Sequence, residues 1–425
     1  MLPLVLSRIA GATITGGLAI YVARTHGAEF SGQFFFFVST VTILSVLTRL
    51  GVDPYLSSTV APSASQGTHV TTKYLVAAAV AVSLLTLVAG VVLVLLHLAV
   101  RDWTDGLLEG LSAGHLILAV FGLNSVWIVG AYSRAVGRAG TSIFIETGLF
   151  SLWLFATLEL GKQTGYKPTP GNVALACALL CPLLMGAMIP LFVRTRGHWY
   201  EGGGVRSALT GVLRFGAVTV TNGIVILIPL QVLGWYGLAE EAGVYNAALR
   251  VSMLVGAFGV VIKSVVVRQA THARPPETDR LKDVRQMGMT ALPWIAISLG
   301  VASQGSLLVK LFGPEFSQLK SIIPVMLIAQ CVYVAGNLIE TKAVLKGEAA
   351  LLNITSLTTL VVAVGVTPIL VNTFGLRGAA WGFAVTIVVS RIQLVWLYLR
   401  GDGQRRVPLS TAGPGFVCDD GDSDR

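Results

Sequence analysis

Six basic side chains stand inside apolar runs where a charge is costly: Arg8, Arg49, Arg214, Arg250, Lys263 and Arg391. Two acids, Glu146 and Glu340, are placed in the same way. A charge at the centre of a bilayer costs about 2.5–3.5 kcal/mol on insertion scales, so each of these residues requires a partner or a role. The surplus of positive charge suits an anion, and guanidinium in particular suits phosphate. Arg8 shares a helical face with Gly11, Ala12, Thr15 and Gly16, a small and polar stripe that looks inward rather than at lipid. The competing reading for Arg8 is a snorkelling anchor, because it lies close to the start of its run. Arg250 lies about two turns inside its run with Asn246 one turn behind, and reads as a cavity position. Arg49 closes its run, where anchor and anion contact are equal readings. Arg214, Lys263 and Arg391 stand towards the ends of theirs and read as anchors. Glu146 and Glu340 either titrate with a coupling proton or sodium ion or neutralise a neighbouring arginine. Asn124, Asn222, Gln330 and Asn337 read as partners in interhelical hydrogen bonds.

Covalent chemistry finds no footing in the chain. The six histidines are dispersed without metal spacing. Cys177 and Cys181 share a helix face, but with no histidine or acid pair nearby they read as small core residues; Cys331 lies in an apolar run and Cys418 near the C-terminus. No nucleophile, phosphate loop or metal cluster is visible, so the expectation is a non-enzyme without metal or cofactor. The formal charge of +9 is spread singly between apolar runs rather than gathered into a patch, which argues against nucleic acid.

The elements that must position these residues are membrane helices. The 425-residue chain is 54% hydrophobic and 12% charged, about half the charge of an ordinary soluble domain. With about 20 apolar residues needed per crossing, twelve segments qualify: 2–23, 33–50, 74–100, 110–133, 141–160, 172–194, 207–235, 244–265, 286–311, 321–345, 350–372 and 378–400. The first has no basic leader or clear cleavage signature and reads as a retained helix rather than a signal peptide. Loops after the even segments and the C-terminal tail hold seventeen lysines and arginines, against seven in loops after the odd segments. The positive-inside rule then places both termini in the cytoplasm. Residues 401–425 have too few apolar residues to fold alone and read as a disordered cytoplasmic tail.

Two stretches carry the same punctuation. In "HGAEFSGQFFFF", Glu29, Gly32 and Phe34 have the spacing of Glu240, Gly243 and Tyr245 in "GLAEEAGVYNAALR". The first precedes segment two, the second segment eight, so the chain divides into two sixes related as a parallel repeat about the membrane normal. The expected fold is therefore all-α and polytopic, with about 12 transmembrane helices in two six-helix bundles, 1–195 and 207–400. The bundles are joined by a cytoplasmic linker, 196–206, that carries three consecutive glycines. Each stretch reads as an outer turn, the phenylalanines of the first beginning the return through lipid. In the second copy Arg250 takes the place of Ser39.

The chain resembles the polysaccharide exporters, or Wzx-type flippases, of the multidrug/oligosaccharidyl-lipid/polysaccharide superfamily. The resemblance rests on "ARTHGAEFSGQFFF" leading to "LTRLGVDPYL", on "EEAGVYNAALRVS", on "LFGPEF" and on "FGLRGAAWGFAV". Lipid II flippases are a more distant likeness, through Ser7-Arg8 and the run Ala23-Arg24-Thr25-His26-Gly27-Ala28. The resemblance implies a MATE-like fold and translocation of a polyprenyl-pyrophosphate-linked oligosaccharide across the cytoplasmic membrane, for O-antigen, capsule or exopolysaccharide. It implies Arg8, Arg49 and Arg250 as pyrophosphate contacts; Arg24, Glu146, Arg214, Glu340 and Arg391 stand beside them as candidate cavity or coupling residues. Implied partners are the lipid-linked substrate, membrane lipid, a coupling proton or sodium ion, and a polysaccharide polymerase. Two positions depart from the pattern: Ile14 falls where a further arginine of the lipid II flippases stands, and Pro229 where many exporters have an aspartate. The alternative is a MATE-type multidrug exporter driven by a proton or sodium gradient. Such proteins place acids deep in their bundles, whereas the first helix here has none.

Overall fold

The computed structural model of the protein describes residues 2–50, 82–88, 113–135, 139–165, 169, 171–180, 183, 216–272, 280–345 and 348–400. Most of the segment expected at 74–100, the 196–206 linker and the 401–425 tail lie outside the described residues. Among the described residues every regular element is a helix. We number them α1 (Leu2–Arg49), α2 (Ala113–Ala135), α3 (Ala139–Ile143), α4 (Phe150–Gln163) and α5 (Gly171–Leu180). There follow α6 (Gly216–Ile224), α7 (Ile228–Trp235), α8 (Ala239–His272) and α9 (Arg280–Ser303). The last three are α10 (Gly305–Phe312), α11 (Leu319–Leu345) and α12 (Ala349–Arg400).

The sequence predicts a polar loop between segments one and two, yet the helix runs on through His26 and Glu29, and Gly27 alone breaks it, at φ 82 and ψ 179. A positive φ is disfavoured for residues with a β-carbon, so one glycine is enough to reverse the chain where polarity points to a longer loop. Both arms of α1 then lie along α8. A β-carbon at Gly16 would sit 3.8 Å from Leu254, and the Arg250 guanidinium lies 5.5 Å from the centre of the Phe35 ring. α12 folds back in the same way at Gly375, at φ 55. Its arms run antiparallel in close contact, because a β-carbon at Gly378 would fall 1.9 Å from the Leu370 carbonyl oxygen.

Four described helices are long and apolar enough to cross a membrane: Leu6–Arg49, Gly114–Ala131, Leu319–Glu340 and Leu351–Arg400. The first and last, 44 and 50 residues long, would be about twice the length of a ~30 Å hydrocarbon core if straight, so each hairpin crosses twice. Two bent pairs are long and apolar enough when each is taken together: Gly140–Glu146 with Phe150–Gln163, and Asp283–Ser303 with Gly305–Phe312. The first bend follows a π-helical turn, Phe144–Leu149, and the second falls at Gln304; π-turns are a recognised cause of bends. The segment expected as one helix at 207–235 is interrupted between α6 and α7, where Pro229 sits in the first turn of α7.

The four phenylalanines, Phe34 to Phe37, do not meet lipid. None is more than 4% exposed, and they pack in the core with Tyr245, Leu249 and Phe316. The run lies on an arm of α1 enclosed by α7 and α8, so all its faces find protein. The apolar surface is built elsewhere, by side chains such as Leu6, Trp235, Phe374, Trp381 and Trp396. α1 packs chiefly on α8, α8 also on α11, and α11 on α9 and α12.

Candidate functional site

α11 sets Tyr333, Asn337 and Glu340 on one face, at the i, i+4, i+7 spacing of neighbouring helical turns. Arg391 of α12 meets all three. Its Nη1 donates to Glu340 Oε2 at 2.7 Å and its Nη2 to Asn337 Oδ1 at 3.2 Å, while its guanidinium lies 4.5 Å from the centre of the Tyr333 ring. Tyr333, Glu340 and Arg391 line a small cleft, partly open to the surroundings, among α6, α11 and both arms of α12, with Ser356 and Ser390 on its wall. Arg391 is therefore no surface anchor, as its place near the helix end suggests; it is 7% exposed and its charge is matched by Glu340. Arg8, from the first arm of α1, comes near enough to the Tyr333 hydroxyl to act on it electrostatically. Tyr333 is the residue that sequence reasoning misses here, although its spacing from Asn337 and Glu340 carries the signal.

Arg250 is differently placed. Its guanidinium packs against Phe35, and its Nε is buried without a hydrogen-bond partner among the described residues. One turn behind it, Asn246 is 1% exposed and its Nδ2 is likewise unpartnered. A buried donor left unpaired costs about 1–3 kcal/mol, more when charged. The two donors stand one helical turn apart on α8.

Arg49 belongs to another neighbourhood. It is 3% exposed, donates from Nε to Ser45 Oγ at 3.2 Å and lies 4.4 Å from the centre of the Trp127 ring. Ser45 in turn donates to Asn124 Oδ1 at 2.7 Å, and Asn124 Nδ2 donates to Thr48 and Thr86, each at 2.9 Å. Asn124 is thus the interhelical link expected of it. At 1.5 Å per residue from the Gly27 turn, Arg250 lies about 16 Å down the helices, Arg8 about 28 Å and Arg49 about 33 Å. The three arginines are not gathered around one point; they occupy two levels.

The remaining candidates scatter. Arg24 is exposed near the Gly27 turn, where its Nη2 donates to the Lys310 carbonyl at 2.8 Å. Glu146 sits on the π-helical turn, buried against Gly130, and accepts from Ser142 Oγ at 3.1 Å. Gly11 and Thr15 of the small-residue stripe are used in packing: a β-carbon at Gly148 would sit 3.4 Å from Gly11 Cα, and Thr15 Oγ1 lies 2.9 Å from Ser151 Oγ. Arg214 and the side chains of Lys263 and Asn222 lie outside the described residues. Among those described, no group of three or more His, Cys, Asp or Glu could hold a metal ion.

No protein-family model and no curated protein matches the chain. Solved structures do. The chain is similar to the lipid II flippase MurJ in an inward closed conformation, with a TM-score of 0.65 at 13% identity over 93% of this chain and 87% of that one. It is similar to the MATE multidrug transporter DinF-BH, with a TM-score of 0.59 at 13% identity over 93% of this chain and 94% of that one. It is also similar to an outward-facing MATE transporter of the MOP superfamily, with a TM-score of 0.57 at 18% identity over 94% of each chain. The fold and these likenesses define a polytopic helical membrane protein. More narrowly, its fold is the one shared by MATE transporters and the lipid II flippase.

Proposed function

We propose that the protein is a flippase that carries polyprenyl-pyrophosphate-linked oligosaccharide across the cytoplasmic membrane by alternating access, for surface polysaccharide synthesis. The observation that carries this reading is the pair of unpartnered donors, Arg250 Nε and Asn246 Nδ2, buried on one face of α8. A diphosphate supplies several acceptor oxygens and matching charge. In this reading both termini are cytoplasmic and the Gly27 turn is outside. The halves 1–195 and 207–400 rock about the 196–206 linker. A headgroup entering from the cytoplasm meets the level of Arg8 and Arg49 first and that of Arg250 deeper. The sugars follow in a water-filled cleft between the halves while the prenyl chain stays in lipid. A polysaccharide polymerase outside the membrane consumes the product.

Glu340 and Arg391 form a closed, charge-neutral pair at the cleft wall. A proton or sodium ion taken up by Glu340 would free Arg391, which is how an ion gradient could drive the cycle. A multidrug exporter is the second reading, supported by the likeness to the MATE transporters. The two separate in proteoliposomes given a fluorescent polyprenyl-pyrophosphate oligosaccharide or a cationic dye. The flippase reading expects movement of the first and not of the second. Movement of the dye alone establishes the exporter.

A further inference from the structure

The two repeated stretches touch each other, and they do so reciprocally. A β-carbon at Gly32 would fall 1.7 Å from the carbonyl oxygen of Ala239; one at Gly243 would fall 2.2 Å from that of Ala28. Each glycine therefore meets the backbone of the residue four places before the other. That exchange is what a twofold relation between the stretches produces, and only residues without a β-carbon permit it. The contact is dry: Ala28, Ser31 and Ala242 are each at most 2% exposed. Further down, α8 emerges from cover, with Met253 37% and Leu254 39% exposed. The two stretches thus close on each other at the Gly27 end.

A polar clasp overlies this contact. Past Gly27 the helix restarts, so the N–H of Ala28 has no carbonyl four residues back to bond. Glu315, on the short 3-10 turn Pro314–Phe316 between α10 and α11, takes that role: Ala28 N donates to its Oε2 at 2.7 Å. A carboxylate at a helix N-terminus also gains from the helix dipole. Arg24 adds the bond to the Lys310 carbonyl at the end of α10. A flat backbone contact held by two hydrogen bonds that water can replace is suited to repeated parting.

We infer that the Gly32–Gly243 contact, clasped by Glu315, is the outer gate of this protein, and that its parting is the step that opens the space between the halves to the outside. The inference rests on the alternating-access reading above, but its test needs no substrate. Ser31→Cys supplies a single thiol at a position buried when the gate is closed, in a chain with Cys177, Cys181, Cys331 and Cys418 changed to alanine. Whole cells are treated with a membrane-impermeant maleimide. With the clasp intact, labelling is slow. Glu315→Gln weakens a charge-assisted bond without touching the backbone contact and raises labelling roughly tenfold, as about 1.4 kcal/mol of lost bonding would. Gly243→Ala, which wedges the contact apart, raises it at least as much. Unchanged labelling in Glu315→Gln, in protein that remains monodisperse on size exclusion, overturns the gate whether or not Gly243→Ala folds. If labelling rises while no lipid-linked oligosaccharide is translocated, the gate stands and the substrate assignment fails.

Discussion

A buried guanidinium nitrogen without an acceptor is costly, and a cost of that kind points to a role. Arg250 has Phe35 for a neighbour and, among the described residues, no acceptor for its Nε. Arg250→Ala is expected to insert normally and to reduce translocation about 10- to 100-fold, the equivalent of the ~1.5–3 kcal/mol of a hydrogen bond to a charged group. Arg250→Lys, which keeps the charge and loses the fork, should fall between. Surface polysaccharide levels in cells carrying each variant check both; wild-type levels with the alanine would remove Arg250 from the path. Arg391 makes the opposite case, a charge already matched. Breaking a buried pair by removing one partner costs about 3–5 kcal/mol, whereas replacing both by apolar groups is often neutral. Glu340→Gln should therefore lower the melting temperature in micelles by several degrees, and Glu340→Gln with Arg391→Met should restore most of it. A single variant as stable as the wild type would show that the pair does not hold the fold.

The helical elements are legible in the sequence wherever apolar runs reach membrane length, and their ends are not. The polar stretches 24–32 and 373–377 read as loops. Hydrophobicity cannot report that a single glycine at positive φ reverses the chain, since that is a backbone property. The bends at the π-helical turn and at Gln304 escape for the same reason. Arg391 reads as an anchor because its distance from the helix end is visible and its neighbour Glu340, fifty-one residues away, is not. The hairpin in α12 offers a direct check. Gly378 would place a β-carbon 1.9 Å from the Leu370 carbonyl, while at Gly365 nothing lies within 4 Å. Gly378→Ala should destabilise the protein by about 1–3 kcal/mol, as overpacking does; Gly365→Ala should be neutral or mildly stabilising. Equal melting temperatures for the two variants would contradict the close packing of the arms.

At the scale of the whole molecule, the repeated punctuation has gained a physical meaning. Glu29 and Glu240 open the two copies, but the glycines three places on are the residues that matter, because they bring the two stretches into backbone contact. Below that contact lie two levels of arginine and a cleft walled by a neutral ion pair. In the proposed reading a sugar-bearing diphosphate passes between the halves, closed at one end at a time, with Arg250 part of the way along its path. The most direct test is the rate at which the purified protein, reconstituted in liposomes, moves a fluorescent polyprenyl-pyrophosphate oligosaccharide from one leaflet to the other. The account predicts movement well above protein-free liposomes, lost in Arg250→Ala. Movement at the protein-free rate by folded wild-type protein, or movement undiminished by Arg250→Ala, would contradict it.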